Sequence, residues 1–257
     1  MELIQGISGV RGIVGKSLTN KILSNHVKAF SMIQDKGTIL LGRDSRIHGH
    51  KLLNIAADSI IKCGRNIQNY NIIPTPTAQF LVKKNKLAGG IVITASHNPE
   101  DWNGLKFIDK DGCFLNKEKN EKIFKLAKKN IINAKTTGKS TYINKGYLSH
   151  VKHTLNLSMI NFDLIKLKKF TVVIDAVNGA ASEALPEMLK ALGCKVYRLH
   201  CNPNGQFPRG AEPLPNNLNK LKKMVIEKQA DVGFATDPDG DRLAVIDEKG
   251  SPLGEEY

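Results

Sequence analysis

Apolar residues recur at three- and four-residue spacing across residues 18–34 and 49–63. In the second stretch Leu52, Leu53, Ala56 and Ile60 share one face. That period predicts two amphipathic helices. Between them the apolar run 38–42 predicts a strand, which ends in the polar turn Arg43-Asp44-Ser45-Arg46. A strand-like segment, 69–73, meets Pro74-Thr75-Pro76, and prolines at that point suit the first turn of a short helix. Residues 89–94 form an unbroken apolar run, the pattern of a strand buried on both faces. A further strand is predicted over 105–108, closed by the turn Asp109-Lys110-Asp111-Gly112.

The segment 133–145 is polar and has no period, and it predicts a surface connection near a domain boundary. A helix restarts near Tyr147. Strand 171–174, helix 179–192 and strand 195–199 then repeat the alternating order. A Pro-, Asn- and Gly-rich loop, 201–216, leads through a Lys-rich helix to strand 231–235 and, past Asp237-Pro238-Asp239-Gly240-Asp241-Arg242, to strand 243–246. Alternation in both halves predicts an α/β protein of two consecutive domains, 1–145 and 146–257, with helices packed on mixed sheets.

Composition narrows the function. No run of 18 apolar residues occurs, so no membrane helix is expected, and the amino terminus lacks the apolar core of a signal peptide. Four scattered cysteines without a CxxC pair suggest reduced thiols and a cytoplasmic protein. The net charge of +14 invites a nucleic-acid reading, but 31 of the 38 basic residues are Lys and only 6% of residues are aromatic. Arg forks interleaved with aromatics mark nucleic-acid sites; no nucleic-acid partner is expected here. A positive field does suit the capture of a small phosphorylated substrate.

Four segments carry candidate chemistry. Thr94-Ala95-Ser96-His97-Asn98-Pro99 follows the buried strand, at the strand end where α/β sheets place their sites. Ser96 needs activation to act as a nucleophile, and His97 or Lys106 is placed to supply it; the plain alternative is a Ser-Asn-Pro turn. In the 237–242 segment, three aspartates alternate, and like charges packed closely require a cation. Oxygen ligands suit Mg²⁺ or Ca²⁺. An EF-hand is excluded because Arg242 stands where its loop needs Gly and because both flanks read as strands. Mg²⁺ beside a phosphate fits best, against the alternative of a solvated acidic turn. Gly6-Ile7-Ser8-Gly9-Val10-Arg11-Gly12 permits close backbone approach to an anion, or is simply a glycine-rich loop. Arg43 and Arg46 flank Asp44, either as phosphate neighbours or as a structural Arg–Asp pair. The histidines at 26, 48, 50, 150, 153 and 200 have no ligand spacing and read as structural or surface residues.

Taken together, Ser8-Gly9-Val10-Arg11-Gly12, the TASHNPxxxNGxK pattern at 94–106 and DxDxDR at 237–242 resemble the α-D-phosphohexomutase family, in its order and spacing. The opening LIQGISGVRGIVG, Asp101-Trp102-Asn103 and the final GEEY are most similar to its bacterial phosphoglucosamine-mutase subgroup; phosphomannomutase and phosphoglucomutase specificities are neighbouring alternatives. The resemblance implies that a phosphorylated Ser96 donates its phosphoryl group to a hexose monophosphate and recovers one from the bisphosphorylated sugar. It implies Mg²⁺ held by Asp237, Asp239, Asp241 and Ser96. Arg242, Arg11 and His97 would surround the moving phosphate, Ser8 and Arg43 would contribute to phosphate binding, and Lys106 would act on the sugar hydroxyl. The family has four domains. Its GExxG sugar loop and RxSGTEP-like phosphate clamp do not occur in this sequence, so the resemblance implies further carboxy-terminal domains, with Gly254-Glu255-Glu256 as the start of the third. Two other readings stand beside the mutase. One is a Mg²⁺-dependent phosphatase using Asp237 as nucleophile; the other is a non-catalytic fragment that binds metal and phosphate.

Overall fold

The structure is a computed structural model that describes residues 2–129, 131 and 133–253; Gly254-Glu255-Glu256 lie outside them. The chain forms two compact units. The first comprises residues 1–95 and 101–146, and the second residues 96–100 and 147–257. The serine loop thus groups with the second unit, although the strand before it belongs to the first.

In the first unit β1 (Ile4–Gly6) and β2 (Gly9–Ile13) precede α1 (Asn20–Ile33), β3 (Ile39–Arg43) and α2 (Gly49–Lys62). There follow β4 (Ile67–Ile72), α3 (Thr75–Lys84), β5 (Gly89–Ile93), β6 (Trp102–Asp109), α4 (Lys117–Leu126) and β7 (Ser140–Tyr142). The sheet order is β1-β2-β6-β5-β3-β4-β7. Pairing is parallel from β5 through β3 and β4 to β7 and antiparallel across β1, β2, β6 and β5, so the sheet is mixed.

Strand alternation decides which helix covers which face. Ile39 and Leu41 pack with α1 and α2 residues such as Leu23, Phe30, Leu52 and Ile60, while Leu40 joins Ala78, Leu81 and Val82 of α3 on the other side. These side chains are at most 2% exposed. Each fully buried Leu or Ile contributes roughly 2 kcal/mol of transfer free energy. Thr19 caps α1 by accepting a hydrogen bond from the Ile22 amide at 3.3 Å, and Asn116 caps α4 at the Lys119 amide at 2.9 Å. Two segments differ from the sequence reading. The 133–145 connection contains β7, a short, polar and exposed strand that pairs with β4, and an exposed strand of three residues leaves no side-chain period to read. The glycine segment 6–12 lies largely in the β1–β2 hairpin.

The second unit runs α5 (Tyr147–Leu155), α6 (Phe162–Lys168), β8 (Thr171–Asp175), α7 (Ala181–Ala191), β9 (Lys195–Leu199), α8 (Asn219–Glu227), β10 (Val232–Thr236), β11 (Leu243–Ile246) and β12 (Pro252–Leu253). Its sheet order is β12-β11-β10-β8-β9, parallel around β8 and antiparallel across β10, β11 and β12. Val173 packs with Leu221 and Val225 of α8, and Val172 and Ile174 pack with Leu189 of α7. Helix α6, with only seven residues, was too short for a periodic signal. No helix among the described residues is long and apolar enough to cross a membrane.

Candidate active site

Strand β10 ends at Thr236, and the aspartate loop begins at the next residue. Its first carboxylate folds the loop back on itself. Asp237 Oδ1 accepts the amides of Asp241 and Arg242, both at 3.1 Å, and the Gly240 amide reaches the Asp237 carbonyl at 3.1 Å. Gly240 turns the chain at φ +70°, which favours glycine. A neighbouring loop supports this one from behind: the Ala180 amide donates to the Pro238 carbonyl at 2.7 Å. A Cβ on Gly179 would stand 2.6 Å from that same oxygen, so glycine is required for the close approach.

The loop gathers charge of one sign. Asp237, Asp239 and Asp241 each present a carboxylate oxygen, and these lie within 4.8 Å of one another. Asp237 and Asp239 are fully buried and Asp241 is exposed. Burial, followed by the charges of Asp239 and Asp241, pushes the Asp237 carboxyl up to about 8. Three hard oxygen donors whose mutual repulsion is this strong fit a small divalent cation such as Mg²⁺. The flanks are β10 and β11, not helices, which agrees with the exclusion of an EF-hand.

Ser96 meets this cluster. Its hydroxyl donates to Asp237 Oδ2 at 3.0 Å across 141 residues of sequence, and it lies 3.4 Å from His97 Nδ1. Ser96 is 4% exposed and adopts φ +51°, a left-handed backbone that a non-glycine residue holds only where its surroundings impose it. Sequence reading gave no sign of this strain. Beside the serine a cavity of about 420 Å³ is lined by His97, Pro99, Glu100, Phe207, Glu212 and Leu214, among others. Glu100 of the serine loop accepts the Phe207 amide at 2.8 Å, and Glu212 pairs with Arg242 Nη1. Neither glutamate was singled out from sequence for a role. Glu100 carries no local signal, whereas Glu212 lies in the 201–216 loop already marked by its Pro, Asn and Gly content.

The remaining candidates, Ser8, Arg11, Arg43 and Lys106, belong to the first unit. On β2, Arg11 Nη2 donates to Ser8 Oγ at 2.9 Å. On β6, Lys106 is 4% exposed, with Nζ 5.7 Å from the centre of the Phe114 ring. The Arg43 guanidinium is engaged internally: Nε donates to Asn71 Oδ1 at 2.8 Å and Nη1 to the Asp44 carbonyl at 3.0 Å. Asp44 in turn holds Arg46, with Nε to Oδ2 at 3.1 Å and both side chains at 0% exposure. Here the structural Arg–Asp alternative describes what the side chains do. His200, read as structural, lies 3.0 Å from Asp175 through Nδ1.

Comparison with known proteins identifies the family of both units. Residues 2–133 match the model of phosphoglucomutase/phosphomannomutase α/β/α domain I, and residues 145–250 that of domain II. The phosphoglucosamine/phosphogalactosamine mutase of Sulfurisphaera tokodaii is 36% identical over 97% of this chain and 56% of its own length. The phosphoglucosamine mutase of Clostridium tetani is 33% identical over 100% of this chain and 58% of its own. A crystal structure of a phosphoglucomutase/phosphomannomutase family protein from Burkholderia thailandensis superposes with a TM-score of 0.84 at 25% identity, over 97% of this chain and 55% of that one. The chain therefore spans about half the length of the curated relatives it matches. With both domain models matched in order, the chain belongs to the phosphoglucomutase/phosphomannomutase family.

Proposed function

We propose that this chain carries the phosphoserine and metal-binding halves of the active site of a phosphohexomutase acting on an amino-sugar phosphate, glucosamine phosphate first. The observation that carries the reading is the 3.0 Å contact between Ser96 Oγ and the buried carboxylate of Asp237. A serine that bears a phosphoryl group there adds nearly two negative charges to a cluster that already repels itself. Asp237, Asp239 and Asp241 would hold Mg²⁺, which supplies charge stabilisation to the phosphoryl group when bound.

The protein's own contributions follow from position. Ser96 Oγ carries the phosphoryl group. In transfer the Oγ–P bond breaks as a bond forms from a sugar hydroxyl oxygen to phosphorus. The hydroxyl proton passes to a base, and Lys106 is assigned that role from the family pattern alone. Arg242 stands at the loop end, held by Glu212 until a phosphate competes for it. The second half-reaction returns the other phosphate of the bisphosphorylated sugar to Oγ. Relatives named phosphoglucosamine mutase support the amino-sugar choice. Contacts to the sugar itself are assigned to the part of the family's length that this chain does not match.

The test is labelling with a hexose bisphosphate carrying radioactive phosphorus. Acid-stable label on Ser96, lost entirely in Ser96→Ala, is expected. A hydroxylamine-sensitive acyl phosphate on Asp237 would replace the mutase with a phosphatase.

A further inference from the structure

The loop after β9 turns one arginine inward. Arg209 is 9% exposed, and its guanidinium spans the carboxyl ends of two adjacent parallel strands. Nε lies 3.1 Å from Asp175 Oδ2, at the end of β8. Nη2 donates to the Thr236 carbonyl at 2.5 Å, at the end of β10, and reaches the Asp175 carbonyl at 3.4 Å. The Thr236 carbonyl shares its peptide unit with the Asp237 nitrogen. Arg209 therefore grips the main chain at the point where the aspartate loop begins.

Asp175 is itself fixed on both oxygens. Oδ1 accepts the Val177 amide at 2.9 Å, and Oδ2 lies 3.0 Å from His200 Nδ1. Val177 and Asn178 both hold left-handed backbones, at φ +47° and +55°. For a β-branched residue that conformation is strained. The Asp175 hydrogen bond to Val177 helps to offset it, and the turn so formed delivers Gly179 and Ala180 to the Pro238 carbonyl. The charges also fit. A lone guanidinium behind three carboxylates would neutralise them and weaken their hold on a cation. Paired with Asp175, Arg209 orients the loop without that competition.

We propose that Arg209, paired with Asp175, is a positioning residue for the cation site: it sets the backbone at Thr236 and thereby fixes the Asp237 and Asp239 carboxylates. The inference rests on the Mg²⁺ reading of that cluster. The test compares wild type, Arg209→Met and the milder Arg209→Lys, which keeps the charge but loses the fork that joins the two strand ends. Two quantities are measured well below the melting temperature: Mg²⁺ affinity by calorimetry, and the amide resonances of Asp241 and Arg242 in metal-free protein. Folded Arg209→Lys should bind Mg²⁺ about 10-fold more weakly, as for loss of a supporting contact behind metal ligands. Both resonances should also move. Wild-type affinity with unmoved resonances in folded Arg209→Lys would overturn the proposal, whatever happens to thermal stability. If wild type binds no Mg²⁺, the metal reading fails; the two amide resonances then decide on Arg209 alone, displaced in its favour, unmoved against it.

Discussion

Asp44 and Asp237 are both fully buried aspartates just past the carboxyl end of a sheet strand, and they are built in opposite ways. Asp44 receives Arg46 at 3.1 Å, the Arg46 amide at 3.0 Å and the Thr94 hydroxyl at 2.6 Å. Its charge is matched inside the loop. Asp237 receives two amides and the Ser96 hydroxyl, but its neighbouring charges are the carboxylates of Asp239 and Asp241. One loop sets its buried carboxylate against an arginine, whereas the other sets carboxylate against carboxylate. Burial alone does not mark a site; a buried carboxyl whose pKa its neighbours push up does so more sharply.

The largest effect that separates the two comes from removing each charge. Asp44→Asn strands the Arg46 guanidinium in the interior, and breaking a buried pair from one side costs about 3–5 kcal/mol. Asp237→Asn removes repulsion, so metal-free protein should melt at a higher temperature than wild type. It should also lose Mg²⁺ affinity by more than the roughly 10–100-fold typical of a supporting contact behind a ligand. Calorimetric melting with and without Mg²⁺ reads both. Equal destabilisation by the two substitutions would erase the distinction.

The pH dependence comes next in size. The Asp237 carboxyl stands at about 8 in the folded chain, against roughly 3.9 for an unfolded aspartate. The folded state therefore holds this proton more tightly. The resulting stability is fully present below the unfolded value and is lost as pH rises through the folded one. Metal-free wild type should lose stability between about pH 4 and pH 8, and Asp237→Asn should flatten that slope. Mg²⁺ must displace the same proton, so its stabilising effect should grow over this window. A Mg²⁺-induced melting shift that is equal at both ends of the window would contradict this account.

The sequence made one half of this comparison plain and left the other open. Alternating Asp237, Asp239 and Asp241 expose their repulsion in the residue order itself, so the acidic loop is legible without a structure. Arg43-Asp44-Ser45-Arg46 reads equally well as an anion site or as a latch. Only the partners Asn71 and Thr94, far along the chain, decide it. The supports of the aspartate loop were invisible for the same reason: Asp175, His200 and Arg209 meet from two strand ends and a loop. The helices and central strands followed their hydrophobic period, while β7 and α6 were too short or too polar to announce themselves.

The smallest effect concerns backbone strain, in which the serine loop that meets Asp237 differs from the Asp44 loop. Residues 43–46 contain no left-handed backbone, whereas Ser96 sits at φ +51°. A glycine there escapes the clash between Cβ and the backbone, and an alanine does not. Ser96→Ala and Ser96→Gly delete the same hydroxyl and the same 3.0 Å contact to Asp237. Elsewhere in a chain alanine is the more stabilising of the two, because glycine gains more freedom on unfolding. Here the order should invert, with Ser96→Gly more stable than Ser96→Ala by about 1 kcal/mol in denaturant melts. Both should be unable to take up phosphoryl label. If alanine proves the more stable, the serine is not held in the left-handed conformation in solution. Its hydroxyl would then reach Asp237 without stored strain, and the serine loop would resemble the relaxed Asp44 loop rather than contrast with it.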